Sequence, residues 1–155
     1  GTAPSVMDSR RARHDRDLWS LLLGHRCITV ARMHGFCFGA GLELPLCCDV
    51  RVASKDATFA LPEVTLGYIP SAGGTQTLSR TIPPGVAAQI ILSGEPIDAR
   101  AAVRWKLVDR AVGASALDAA LDEEITRLLS MPPEVASGRR RSWGPASTTL
   151  AGSTP

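Results

Sequence analysis

The chain has 155 residues, 45% of them hydrophobic, and a formal net charge of +2, which suits one domain with its own core. Its positive excess comes from arginine clusters at residues 10–16 and 139–141, in polar ends without interleaved aromatics, so nucleic-acid binding is not indicated. No segment reaches the length of a transmembrane span, no apolar stretch leads to a cleavage site, and the aspartates among the N-terminal arginines argue against a transit peptide. Four cysteines, Cys27, Cys37, Cys47 and Cys48, lie in or beside apolar segments without zinc or thioredoxin spacing. The expectation is a soluble cytoplasmic protein with reduced core cysteines, no metal, no nucleic acid and no membrane association.

Residues 1–15 are polar and aperiodic and read as a disordered segment or loop remnant. Leucines and Trp19 recur at helical spacing over residues 16–23, and Gly24 stands where a helix-terminating glycine would. Residues 27–33 have the β-branched richness of a buried strand, residues 49–54 read as another, and residues 57–60 as a short third. Between the first two strands, a glycine-rich turn runs into an apolar helix expected over residues 40–48, with Pro45 placed near its first turn because a deeper proline would cost about 3 kcal/mol. A second glycine-rich helix start lies at residues 71–76, with Leu78 and Ile82 as its buried positions, and Pro83, Pro84 and Gly85 stop it. Further helices are expected at residues 86–92, from an Asp98 cap to about Lys106, and at residues 116–130, with an extended segment at residues 107–112. Strands alternating with helices point to an α/β fold. Residues 132–155, rich in Ser, Gly, Pro and Arg, read as a loosely ordered tail, leaving residues 16–131 as the folded unit.

Two glutamates carry the chemical interest. Glu43 lies one helical turn behind Gly39, Ala40 and Gly41, so its carboxylate shares a face with the first free N–H groups of the helix. Such N–H groups, backed by the helix dipole, stabilise a developing oxyanion, and the small residues let a ligand approach closely. A charge between Leu42 and Leu44 must face solvent, a partner or a cavity. Glu63 follows Pro62 and an apolar strand, and taken alone it is equally an ordinary loop carboxylate. Two carboxylates in one pocket suit general acid/base work. A Ser-His-Asp triad is not supported, because Ser71 lacks a nucleophile-elbow pattern and His14, His25 and His34 have no evident partner.

These motifs together resemble the crotonase superfamily, the enoyl-CoA hydratase/isomerase family. The resemblance is carried by CITVARMHGFCFGAGLELPLCCDVRVAS (27–54), ATFALPEVTLGYIPSAGGTQTLSR (57–80) and ILSGEPIDARAAVRWKLVD (91–109), in the family's order and spacing over more than half the chain. It implies a crotonase-like α/β fold, a spiral of β-β-α units of the ClpP/crotonase type, present here as a partial domain. Nothing in residues 1–26 matches the preceding region, whose loop supplies a second oxyanion donor in the family, and the C-terminal helical region is shortened.

The activity implied is that of an enoyl-CoA hydratase-like lyase, which adds water reversibly across the 2,3 double bond of a trans-2-enoyl-CoA thioester. Catalytic roles fall to Glu43, for the water, and to Glu63, for the proton at the α-carbon. The Ala40 N–H takes the place of an oxyanion donor, flanked by Gly39 and Gly41. The segment of Gly67, Tyr68 and Ser71 lines the acyl pocket and the water site, with Ser71 where glycine is common. Lys106 stands where glycine usually ends a helix. No separate cofactor is implied, since coenzyme A is part of the substrate, and the family's trimer-based assembly implies a homo-oligomer acting on acyl-CoA. Double-bond isomerisation, a hydratase–lyase reaction and a noncatalytic interaction subunit are the alternatives; simple isomerases usually keep only the glutamate equivalent to Glu63.

Overall fold

The computed structural model describes residues 18–70 and 73–132. In chain order its elements are α1 (Leu18–Gly24), β1 (Val30–Met33), β2 (Phe36–Phe38), α2 (Ala40–Glu43), β3 (Val50–Ser54), β4 (Thr58–Ala60), α3 (Gly74–Thr81), α4 (Pro84–Ser93), β5 (Ile97–Asp98), α5 (Ala99–Arg104), β6 (Arg110–Val112) and α6 (Leu117–Leu129). Short 3-10 turns occupy Pro45–Cys47, Pro62–Leu66 and Ala114–Ala116. The expectations for residues 1–15 and for the tail beyond residue 132 lie outside the described residues.

Two three-stranded sheets form, in the orders β1-β3-β6 and β2-β4-β5. The first is parallel throughout, with Val30 opposite Val50 and Val52 opposite Arg110. In the second, β2 runs parallel to β4 with Cys37 opposite Phe59, and β5 pairs antiparallel to β4. Each of the first two passes of the chain therefore lays one strand in each sheet before a helix or 3-10 turn follows. The start of the first sheet is pinned by Asp49, which accepts hydrogen bonds from the Thr29 N–H at 2.7 Å and the Thr29 hydroxyl at 2.9 Å.

Met33, Leu42, Phe59, Leu61, Leu78 and Leu107 are fully buried in one core that joins both sheets to the helices. A smaller cluster of Val52, Leu117 and Ala120 packs α6 on the other side of β3. Cover on both faces explains why Arg51, Val52, Ala53 and Ser54 of β3 are all buried.

The helix expected over residues 40–48 is shorter: α2 ends at Glu43 and Pro45 opens a separate 3-10 turn. The proline has no N–H for an α-helical ladder, so the chain tightens there. Strand β2 falls within the segment expected to be a glycine-rich turn, and its three residues are too few to show a period. Pro84 does not merely stop α3; it is the first residue of α4, where a missing N–H costs nothing. The extended segment narrows to β6, because the N–H groups of Leu107 and Val108 turn back to the Ala102 carbonyl. The first strand begins at Val30, not residue 27, and Cys27 is exposed, so only part of the cysteine set is core.

Candidate functional site

The site is organised by the turn between β2 and α2. Gly39 adopts φ 52° and ψ −123°, a region open to glycine alone. Its N–H donates to the Ala60 carbonyl at 3.0 Å, joining the turn to the end of β4, and its own carbonyl accepts from Leu42 and Glu43 N–H, both at 2.9 Å. Ala40 and Gly41 open α2, so their N–H groups have no acceptor within the helix. Both residues are exposed. Ala40 is helical with negative φ, so alanine is sterically compatible with a backbone donor there.

The turn directs Leu42 into the core and Glu43 toward α3. Glu43 is 3% exposed, and its Oε1 accepts the Gly74 N–H at 2.9 Å. Gly73 caps α3 in the left-handed conformation and Gly74 is its first residue, so the carboxylate sits on the positive end of an eight-residue helix. Burial of this glutamate without an ion pair among the described residues is tolerable because the backbone donor and the dipole offset part of its desolvation.

Glu63 arrives from the turn that follows β4. Pro62 opens the 3-10 turn after β4, and Glu63, its second residue, is 7% exposed. A Cβ placed on Gly39 would stand 3.1 Å from Glu63 Oε1, which puts that oxygen directly over the α2 turn. Glu63 Oε2 is buried and has no hydrogen-bond partner among the described residues. Glu63 Oε1 thus stands over the α2 turn at Gly39, while Glu43, whose own N–H bonds the Gly39 carbonyl, carries its carboxylate from that turn to the start of α3.

Gly67 and Tyr68 belong to the exposed turn that leaves this 3-10 segment. Gly67 caps it at φ 81°, and Tyr68 donates its N–H to the Glu63 carbonyl at 3.2 Å while its side chain is about half exposed. Ser71 lies outside the described residues. His25 and His34 are exposed; His14 lies outside the described residues. Burial pushes the Cys37 thiol up, against a weaker opposing hydrogen bond to the His34 carbonyl, so it does not present a thiolate. Among the described residues no cluster of His, Cys, Asp or Glu could hold a metal ion, and no helix is long and apolar enough to cross a membrane.

Gly74 and Arg51 are the residues that sequence reasoning did not single out. A glycine pair before a helix was visible, but nothing in the spacing links Gly74 to a carboxylate 31 positions earlier. Arg51 is buried in β3, donates to the Leu107 and Cys48 carbonyls at 2.7 Å each, and lies 3.7 Å from the Asp109 carboxylate. It ties the chain after α2 to the segment before β6.

The family model for enoyl-CoA hydratase/isomerase matches residues 6–141. The chain is similar to 2,3-dehydroadipyl-CoA hydratase of Escherichia coli, at 46% identity over 91 residues covering 59% of this chain and 36% of that protein. It is also similar to carnitinyl-CoA dehydratase of Citrobacter koseri, at 36% identity over 104 residues covering 67% and 40% of the two chains. Among solved structures, a probable enoyl-CoA hydratase/isomerase from Mycobacterium abscessus superposes with a TM-score of 0.84 at 29% identity, covering 90% of this chain and 54% of that one. The chain thus spans 36–40% of the length of these curated relatives. With the motifs, the paired sheets and the superposition in agreement, this chain has the crotonase fold and belongs to the enoyl-CoA hydratase/isomerase family.

Proposed function

We propose that the chain is the catalytic portion of an enoyl-CoA hydratase-like lyase acting on a trans-2-enoyl-CoA thioester. The observation that carries this reading is the pair of buried carboxylates, one held by a backbone donor at the start of α3 and one over the α2 turn with an oxygen unpartnered among the described residues. A buried carboxylate oxygen with no partner is costly, and a ligand that donates to it, or receives its proton, relieves that cost.

In the proposed reaction the thioester carbonyl lies over the exposed start of α2 and accepts the Ala40 N–H, which draws electron density from the conjugated double bond. Glu43 takes a proton from water as its oxygen bonds to the β-carbon, and Glu63 delivers a proton to the α-carbon. The product is the 3-hydroxyacyl thioester, and proton exchange with solvent restores both glutamates. Hydration rather than isomerisation is favoured because Glu43 is present and buried, as Glu63 is. The relatives named as a hydratase and a dehydratase support the same reaction class without defining the acyl group. Gly67, Tyr68 and Ser71 are assigned to the acyl side of the pocket, no cofactor beyond the coenzyme A of the substrate is required, and a cytoplasmic homo-oligomer is the proposed working form.

Crotonyl-CoA tests the reading, through loss of the enoyl thioester absorbance. Glu43→Gln and Glu63→Gln are each expected to lower hydration by at least about 10²-fold, the lower end of general acid–base contributions. Near-normal rates in both variants, or no turnover by the wild-type chain, would remove the assignment.

A further inference from the structure

Gly74 has no side chain to offer, yet two measurements tie it to Glu43. Its N–H donates to Glu43 Oε1 at 2.9 Å. A Cβ built at position 74 would stand 2.6 Å from the same oxygen and 3.0 Å from Glu43 Cγ, closer than van der Waals contact allows. Any other residue at this position must displace the carboxylate.

The backbone itself makes no such demand. Gly74 is absent from the positive-φ glycines, and the left-handed cap of α3 is taken by Gly73. At Gly39, by contrast, φ 52° requires glycine whatever Glu63 does. Alanine is also the better helix former, so glycine at position 74 works against the helix it opens and leaves the space to Glu43.

We propose that Gly74 is a positioning residue for Glu43: its N–H and its missing side chain together set where that carboxylate stands relative to the α2 turn. The contact is a geometric property of the fold, while its bearing on turnover rests on the hydratase reading above. Moving a reacting group by about 1 Å typically costs up to about 10²-fold in rate.

The test is a double-mutant cycle on the full chain with Gly74→Ala, Glu43→Ala and the two combined, read by thermal unfolding and by crotonyl-CoA kinetics. Gly74→Ala is expected to lower Tm in the presence of Glu43 and to leave Tm unchanged or raised in the Glu43→Ala background, where the clash is gone. In kinetics, with rates normalised to the folded fraction read from the unfolding transition, Gly74→Ala is expected to lower kcat by about 10²-fold with KM nearly unchanged, and a rate loss that only follows the folded fraction overturns the proposal. If Gly74→Ala alone does not fold, a cooperative unfolding transition recovered in the double variant supports the proposal, and its absence overturns it. Equal Tm shifts in both backgrounds, or a wild-type kcat in Gly74→Ala, also overturn it. Should the wild-type chain show no hydration, the hydratase reading falls, while the unfolding cycle still decides whether Gly74 and Glu43 are coupled.

Discussion

Lys106 is the only non-glycine residue with positive φ, at 66°, among the described residues. It follows the C-cap of α5, its N–H bonds to the Val103 carbonyl, and the next N–H, of Leu107, bonds to Ala102. That is the Schellman pattern, in which the left-handed position favours glycine. Lysine there carries roughly 1–2 kcal/mol of steric cost, partly offset by the greater entropy a glycine loses on folding. Lys106→Gly is therefore expected to stabilise the chain by about 0.5–1 kcal/mol in urea unfolding; a loss of stability would show that the lysine side chain contributes more than its backbone costs. Arg51 illustrates the opposite case. Its replacement by methionine fills part of the space but strands the Cys48 and Leu107 carbonyls that it serves. Arg51→Met is expected to destabilise by about 2–4 kcal/mol, measured by the urea midpoint at constant slope, and an unchanged midpoint would contradict that role.

At the scale of elements, the caps were legible and the short pieces were not. Asp98 accepts the Ala101 N–H at 2.7 Å as the N-cap of α5, as its position before the alanine-rich run implies. Helix α6 matches its apolar period closely, since thirteen residues give the pattern three turns to repeat. The four residues of α2 and the three of β2 give none, and their conformations are set by the Gly39 turn and by pairing with β4. One surface contact has a pH signature. The Arg32 hydrogen bond, with its charge second, holds the Asp118 carboxyl below its ordinary value of 3.8 and joins β1 to α6. A carboxylate depressed by folding adds stability above its unfolded pKa and loses it as pH falls through the folded one. Asp118→Asn is expected to lower Tm at neutral pH, by an amount that shrinks below about pH 4, where the unfolded carboxyl protonates. A Tm difference that does not change with pH would assign the effect to packing instead.

The molecule as a whole leaves several large apolar side chains in water. All residues of α1 are at least partly exposed, including Leu18, Leu21 and Leu23, and Leu66, Ile69 and Leu92 are exposed beyond two-thirds of their surface. Strands β1 and β2 are both edge strands of their sheets among the described residues. Open edges and apolar patches of this kind favour association. Light scattering and thermal unfolding are expected to depend on protein concentration; a monomer whose Tm does not change with concentration would show that these surfaces are tolerated in water.

Sequence alone determined the α/β class, the positions of the main helices, the cap at Asp98, and the family through the residues around Glu43 and Glu63. These are local properties: periodicity, capping chemistry and glycine placement act within a few residues, and a motif preserves them in order. Tertiary structure alone decided that Glu63 stands over Gly39, that Glu43 turns inward onto the Gly74 N–H, and that Arg51 binds the distant Leu107 carbonyl. Contacts across 24, 31 and 56 positions leave no periodic trace in the chain, because they arise only when parallel strand pairing brings successive passes side by side.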